Sequence, residues 1–232
     1  DERRRYVNGF ISQLDHDYLD ALMRYNAVLA ERNRFLKVSS DESMLEVYDA
    51  QLAAHGTKIH ERRAAIVERL QPVVADFYAR LSLDRESVNL RYRSELNEKP
   101  LSELLAANRQ RDIINQFTTS GIHRDDLVFT IGGMPLRKYG SQGQQKSFLI
   151  ALKLAQYSVI AGNRGDNPIL LLDDVCDKLD EQRVEQLIRL VAGDAFGQIV
   201  ITDCNEYRLR SLLDRAGCAY RLFRVENGSI IE

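Results

Sequence analysis

Cysteine is scarce: the 232-residue chain has three, at positions 176, 204 and 218, with no CxxC spacing. An odd count without that spacing indicates neither a disulfide framework nor a zinc site, and a reducing, cytoplasmic setting is expected. The 4 prolines and 13 glycines are too few for a collagen-like or mucin-like chain. No run of about 18 apolar residues occurs, so neither a spanning helix nor a membrane partner is expected. An excess of one charge is lacking too, with 32 Lys and Arg against 34 Asp and Glu and a net charge of −2. Bulk electrostatics therefore does not select nucleic acid, although a local basic patch can. The opening Asp1-Glu2-Arg3-Arg4-Arg5 has no Met and no apolar leader, and reads as a processed terminus or a piece of a longer protein. What remains is 44% hydrophobic and 28% charged, the composition of one large or two modest soluble domains.

The first third is helical by pattern. Phe10, Leu14, Leu19, Leu22, Val28 and Leu29 recur at helical spacing up to a polar loop, Ser39-Ser40-Asp41-Glu42. Ser40 or Asp41 is the expected cap of a second helix along Leu45, Tyr48, Leu52, Ile59, Ile66, Leu70, Val73, Phe77 and Leu81. Steps of three, four and seven suit two antiparallel helices packed as a hairpin, with a kink or junction near Pro72. Glu61, Arg62, Arg63, Glu68 and Arg69 read as a polar face. After Leu83 come a strand at Val88–Tyr92, a helix from Pro100 to about Phe117, and a hairpin turning at Gly132-Gly133. From Ser141 helix and strand alternate: helix Ser141–Ile160, strand Ile169–Leu172, helix Asp180–Val191, strand Ile199–Ile201 and helix Asn205–Leu213. A last hairpin, Ala219–Phe223 with Ser229–Ile231, closes around Asn227-Gly228. The pattern predicts an α/β fold with a parallel sheet core, its apolar strands covered on both faces.

Three local features carry chemistry. In Leu170-Leu171-Leu172-Asp173-Asp174 an apolar strand ends in two carboxylates, at the sheet edge where ligands of α/β proteins bind. Asp173 there can hold Mg²⁺ through water and Asp174 can act on a nucleophilic water; the plain alternative is an Asp-rich turn. Gly140-Ser141-Gln142-Gly143-Gln144 opens a helix, where unpaired N–H groups and a serine hydroxyl suit a phosphate, or where Ser141 is an ordinary cap. Gly140 with Lys146-Ser147 nearly spells the P-loop pattern, but position 145 is Gln, so that match fails. Asp177-Lys178-Leu179-Asp180 follows the carboxylate strand and offers a helix cap. His123 and Arg124 either pair with Asp125 or Asp126 to fix the hairpin or lie near nucleotide or DNA.

Together these segments resemble the C-terminal half of an ABC-type ATPase. Gly140 to Gln144 looks like the signature motif, Leu170 to Asp173 like Walker B with Asp174 at the usual glutamate, and Asp177, Leu179 and Asp180 like the D-loop. With Gly121-Ile122-His123-Arg124-Asp125-Asp126-Leu127 and Ala151 to Gln156, the chain resembles the RecF family of bacterial DNA replication and repair proteins. The resemblance implies a helical arm over residues 1–84 and the C-terminal half of an ATPase lobe over 85–232. It implies ATP and Mg²⁺ as cofactors and a homodimer in which the signature contacts the partner's ATP. It further implies double-stranded DNA near ssDNA–dsDNA junctions as ligand and RecR and RecO as partners in loading a recombinase. Thr202 and Asp203 stand where such ATPases place their switch residue. Walker A is not among the motifs, so the chain alone is not expected to hydrolyse ATP. Lys138, Lys146, Lys153, Arg62 and Arg63 are the expected DNA contacts. The alternatives are the head of an SMC/Rad50-like or OLD-type ATPase, or a nonenzymatic helical dimerisation module.

Overall fold

Caps set the helix boundaries at the start of the chain. Helix α1 (Glu2–Leu14) buries Val7, Phe10 and Ile11 and stops at Asp15, whose backbone is extended and whose carboxylate accepts the N–H of Tyr18 at 3.0 Å. That cap starts α2 (His16–Phe35). Of the two expected caps for α3 (Glu42–Ser82), Asp41 serves, accepting from the Met44 N–H at 3.1 Å. The computed structural model of the chain describes residues 1–174, 179–193 and 195–231, with backbone alone at 164.

Helix α3 runs through Pro72, so of the kink or junction expected there no junction forms. A proline removes one N–H bond from the ladder, and buried Leu70 and Val74 on either side hold the helix. Its buried stripe steps through Leu45, Asp49, Leu52, Gly56, Ile59, Arg63, Val67, Leu70 and Val74. Gly56 is required there: an added Cβ would lie 2.4 Å from Leu101 Cδ2 and 3.1 Å from Tyr25 Cε2.

Strand β1 (Val88–Arg93) alternates buried and exposed and pairs antiparallel with β2 (Asp126–Ile131), Leu90 opposite Phe129. Between them α4 (Leu101–Asn115) follows Pro100. Gly132 and Gly133, at φ 53° and 77°, turn β2 into β3 (Met134–Pro135) as expected of a two-residue primed turn, and α5 (Leu136–Tyr139) follows. Asp1–Ala75 and Val88–Tyr139 form one compact unit; Asp76–Ser87 and Gly140–Glu232 form the other. Residue 84 lies in the turn that follows α3, while packing groups β1, α4 and β2 with α1 and α2.

The first unit buries two arginines. Arg32 is fully enclosed, its Nε 2.7 Å from Asp49 Oδ1 and its Nη1 2.7 Å from Asp112 Oδ2 and 2.8 Å from Thr118 Oγ1. Arg63 Nη1 donates to Asp125 Oδ2 at 2.8 Å and to the Ile122 carbonyl at 2.7 Å, and Nη2 donates to Asn8 Oδ1 at 2.9 Å.

In the second unit α6 (Gln142–Arg164) buries Phe148, Ala151, Leu152 and Ala155. Strand β4 (Leu170–Asp173) runs parallel to β5 (Ile199–Thr202), Asp173 opposite Thr202. Helix α7 (Glu181–Val191) and α8 (Glu206–Ala216) turn Leu187, Ile188, Leu209 and Leu212 inward. Strands β6 (Arg224–Glu226) and β7 (Ser229–Ile231) flank Asn227-Gly228. A two-residue turn fixes the register beside it, so the first strand lies at 224–226 and not at the expected Ala219–Phe223.

The sheet departs from expectation in one respect. Side chains alternate between faces, and on one face Ile169, Leu171 and Val200 are 60%, 69% and 42% exposed. An apolar strand reads the same whether or not this chain supplies both covers, and here the described residues leave one face open. Such a face and edge promote association. The chain alone is therefore expected to self-associate with rising concentration in sedimentation velocity, and Leu171→Asp to reduce it. A single monomeric species throughout would contradict this.

Candidate functional site

The start of α6 is built by a capping box. Ser141 has extended backbone, its Oγ accepts the Gln144 N–H at 3.2 Å, and Gln144 Oε1 accepts the Ser141 N–H at 2.7 Å. These bonds engage the N–H groups of 141 and 144, while by helix geometry those of Gln142 and Gly143 point out of the helix end. The Ser141 hydroxyl, accepting from Gln144, keeps its own proton to donate. Gln145 closes the turn, donating from Nε2 to the Gly140 carbonyl at 2.8 Å. The arrangement suits an anionic oxygen approaching along the helix axis.

The carboxylate strand ends beside Thr202. Its hydroxyl donates to Asp173 Oδ1, and the Asp174 N–H donates to the Thr202 carbonyl at 3.2 Å and Oγ1 at 3.3 Å. Asp174 has φ 48°, a left-handed backbone that aspartate tolerates better than most residues. The chain therefore turns sharply after β4, with both carboxylates exposed. Lys146 of α6 donates from Nζ to the Asp174 carbonyl at 3.0 Å, tying the signature-like helix to this turn. An exposed carboxylate with one oxygen on a hydroxyl fits water-mediated Mg²⁺, which takes one or two carboxylates and completes its shell with water and phosphate. Among the described residues no cluster of three His, Cys, Asp or Glu could hold a metal alone.

Asp180 caps α7, accepting the Arg183 N–H at 2.8 Å, and Leu179 is buried. Asp177 lies outside the described residues. Of the two switch-position residues, Thr202 bonds Asp173, and Asp203 Oδ1 accepts the Asn205 N–H at 2.8 Å.

The expected DNA contacts separate by environment. Arg63 is corrected outright: it is 1% exposed and its guanidinium is committed to Asp125, Ile122 and Asn8. Its position four residues from both Ile59 and Val67 places it in the buried stripe. Arg62 is exposed and pairs with Asp15 at 3.0 Å. Lys138 lies over the Tyr139 ring, and Lys153 is exposed beside Gln156 at 3.4 Å. Lys146 is half-buried and holds the Asp174 turn.

His123 pairs with neither Asp125 nor Asp126. Its Nε2 is 3.1 Å from the Thr118 carbonyl, which can only accept, so Nε2 carries the proton and Nδ1 accepts from Tyr25 OH at 3.0 Å. Burial pushes its pKa down to about 4, which keeps the ring neutral. Arg124 donates to the Thr119 carbonyl at 3.3 Å and lies over Phe117.

One residue near the signature turn carries no sequence signal. Glu86 accepts from Gln144 Nε2 at 2.9 Å, from Arg183 Nη2 at 3.1 and 3.3 Å, and from Tyr78 OH. Burial disfavours its charge, but these donors and the Arg183 charge outweigh it and hold the carboxyl below its ordinary range. Arg183 also donates to Ser147 Oγ at 2.9 Å.

No family model matches the chain. The DNA replication and repair protein RecF of Bacteroides thetaiotaomicron is 45% identical over all of this chain and 63% of its own length. RecF of Parabacteroides distasonis is 47% identical over 99% of the chain and 63% of its own, and that of Porphyromonas gingivalis 43% over 100% and 64%. Among solved structures, the recombination mediator protein RecF-ATPrS in the RecFOR pathway superposes with a TM-score of 0.79 at 26% identity. It covers 99% of this chain and 62% of its own. RecF-ATP of the same pathway gives 0.75 at 29% identity, covering 88% and 58%. The chain thus spans a little under two thirds of the length of the relatives it matches. Along essentially its whole length the chain is similar to these RecF proteins, and it shares their α/β fold with a helical arm.

Proposed function

We propose that this chain supplies the arm (residues 1–84) and the C-terminal half of the ATPase lobe (85–232) of a RecF-family DNA-repair ATPase. Its ATP-dependent dimer acts on duplex DNA near ssDNA–dsDNA junctions and, with RecR and RecO, helps load recombinase. The observation that carries this reading is the end-to-end match to RecF at 42–47% identity. In the complete protein the phosphate cradle comes from the part of the relatives that this chain does not span. Ser141 donates its hydroxyl proton, and Gln142 and Gly143 their N–H groups, to the terminal phosphate of a nucleotide held by the second copy. Asp173 holds Mg²⁺ through water, and the ion when bound offsets charge on the phosphates. Asp174 takes the general-base position, on a turn pinned by Thr202 and Lys146.

Ser141→Arg in the complete protein tests this. In this reading the larger, charged side chain meets the second copy, while the cis cradle lies in the part of the relatives that this chain does not span. Affinity for a fluorescent ATP analogue should stay within about twofold, while the ATP-dependent dimer disappears from sedimentation profiles. A dimer equal to wild type would remove the signature from the interface.

A further inference from the structure

We propose that Glu86 is a positioning residue for the signature turn, locking the Gln144 amide and joining the starts of α6 and α7 through one carboxylate. This rests on the reading above, in which Ser141 and the first turn of α6 meet phosphate.

Gln144 uses both ends of its side chain. Its oxygen accepts the Ser141 N–H at 2.7 Å and its nitrogen donates to Glu86 Oε1 at 2.9 Å. Only one amide orientation serves both. Flipped, it would set NH₂ against an N–H and oxygen against a carboxylate. Glu86 therefore selects the orientation that completes the capping box. Its remaining capacity is filled by Tyr78 and Arg183. Arg183 in turn reaches Ser147 on α6 at 2.9 Å and Asp180, the cap of α7, at 3.3 Å through Nε. A saturated carboxylate has no spare acceptor to offer a ligand, so its effect passes through the groups it holds. Removing it lets the Gln144 amide rotate, frees the Ser141 N–H and loosens α7 from α6.

The test uses the complete protein with Glu86→Ala, Gln144→Ala and the double variant. Hydrogen exchange over residues 140–147 reads the turn directly and needs no nucleotide; Glu86→Ala should speed it about tenfold, as expected for losing a charge-assisted bond. The ATP-dependent dimer dissociation constant should rise about tenfold while the affinity of the monomer for ATP is unchanged. In the Gln144→Ala background, Glu86→Ala should add little to either readout, because Glu86 acts through Gln144. A merely structural role would lower the melting temperature and leave exchange at 140–147 and the dimer constant of the folded protein at wild-type values. Unchanged exchange, or additive effects in the double variant, overturns the proposal. Faster exchange with an unaltered dimer constant keeps Glu86 as the lock of the turn and moves the failure to the trans-phosphate reading.

Discussion

Asp173→Asn, made in the complete protein, is expected to lower magnesium-dependent ATP turnover about a hundredfold or more. The substitution keeps size and shape, and the amide oxygen can still accept from the Thr202 hydroxyl that now bonds Asp173. It removes the charge that holds a hard cation through water. The side chain is exposed at the end of β4, so folding stability should change by no more than about 0.5 kcal/mol. Phosphate release at saturating ATP across a magnesium titration, with a thermal melt beside it, separates the two effects. Wild-type turnover with an intact melt would take the metal away from Asp173 and leave it as the end of a strand.

The second large effect is on stability. Asp112→Ala is expected to cost about 3–5 kcal/mol, a large share of the roughly 5–15 kcal/mol that holds a typical protein folded. Arg32 and Asp112 are both 0% exposed, and Asp112 also accepts from the Thr119 N–H at 2.8 Å and hydroxyl at 2.6 Å. Alanine leaves Arg32 Nη1 with Thr118 alone among the partners it now has, and strands the Thr119 donors. Arg32→Met with Asp112→Leu should recover part of the loss, because it removes the buried cation that Asp112 helps to neutralise and leaves Asp49 paired with Arg109 at 3.3 Å. Urea titration followed by circular dichroism measures both. A shift below about 1 kcal/mol for Asp112→Ala would mean that water reaches Arg32.

What could be read from sequence was encoded by near neighbours. The Gly132-Gly133 turn, the Asp41 cap and the start of α6 at Ser141 each depend on residues within four positions, and each stands where its own residues place it. Arg63 fails that condition. Its partner Asp125 is 62 positions away, so a charged residue in a heptad-like pattern reads as solvated when it fills a buried stripe. Glu86 is less legible still, one carboxylate in a short connection whose partners lie 58 and 97 positions ahead. The open face of β4 and β5 was invisible for another reason. Apolar residues declare that a surface wants cover, and nothing in them says which polypeptide provides it.

The chain enters the second compact unit at Asp76–Ser87, leaves it, and returns at Gly140. During synthesis, Tyr78 and Glu86 therefore emerge well before the strands and helices that complete their unit. At typical elongation rates of about 5–20 residues per second, Glu86 waits roughly 5–20 s for Arg183, the partner 97 positions later. The first unit, by contrast, has all its residues out of the ribosome once Tyr139 has cleared. Nascent chains should thus pass through a state in which the first unit is finished while Phe77, Tyr78 and Leu81 of α3, buried in the folded chain, are still uncovered. That interval is when a chaperone would find its binding surface.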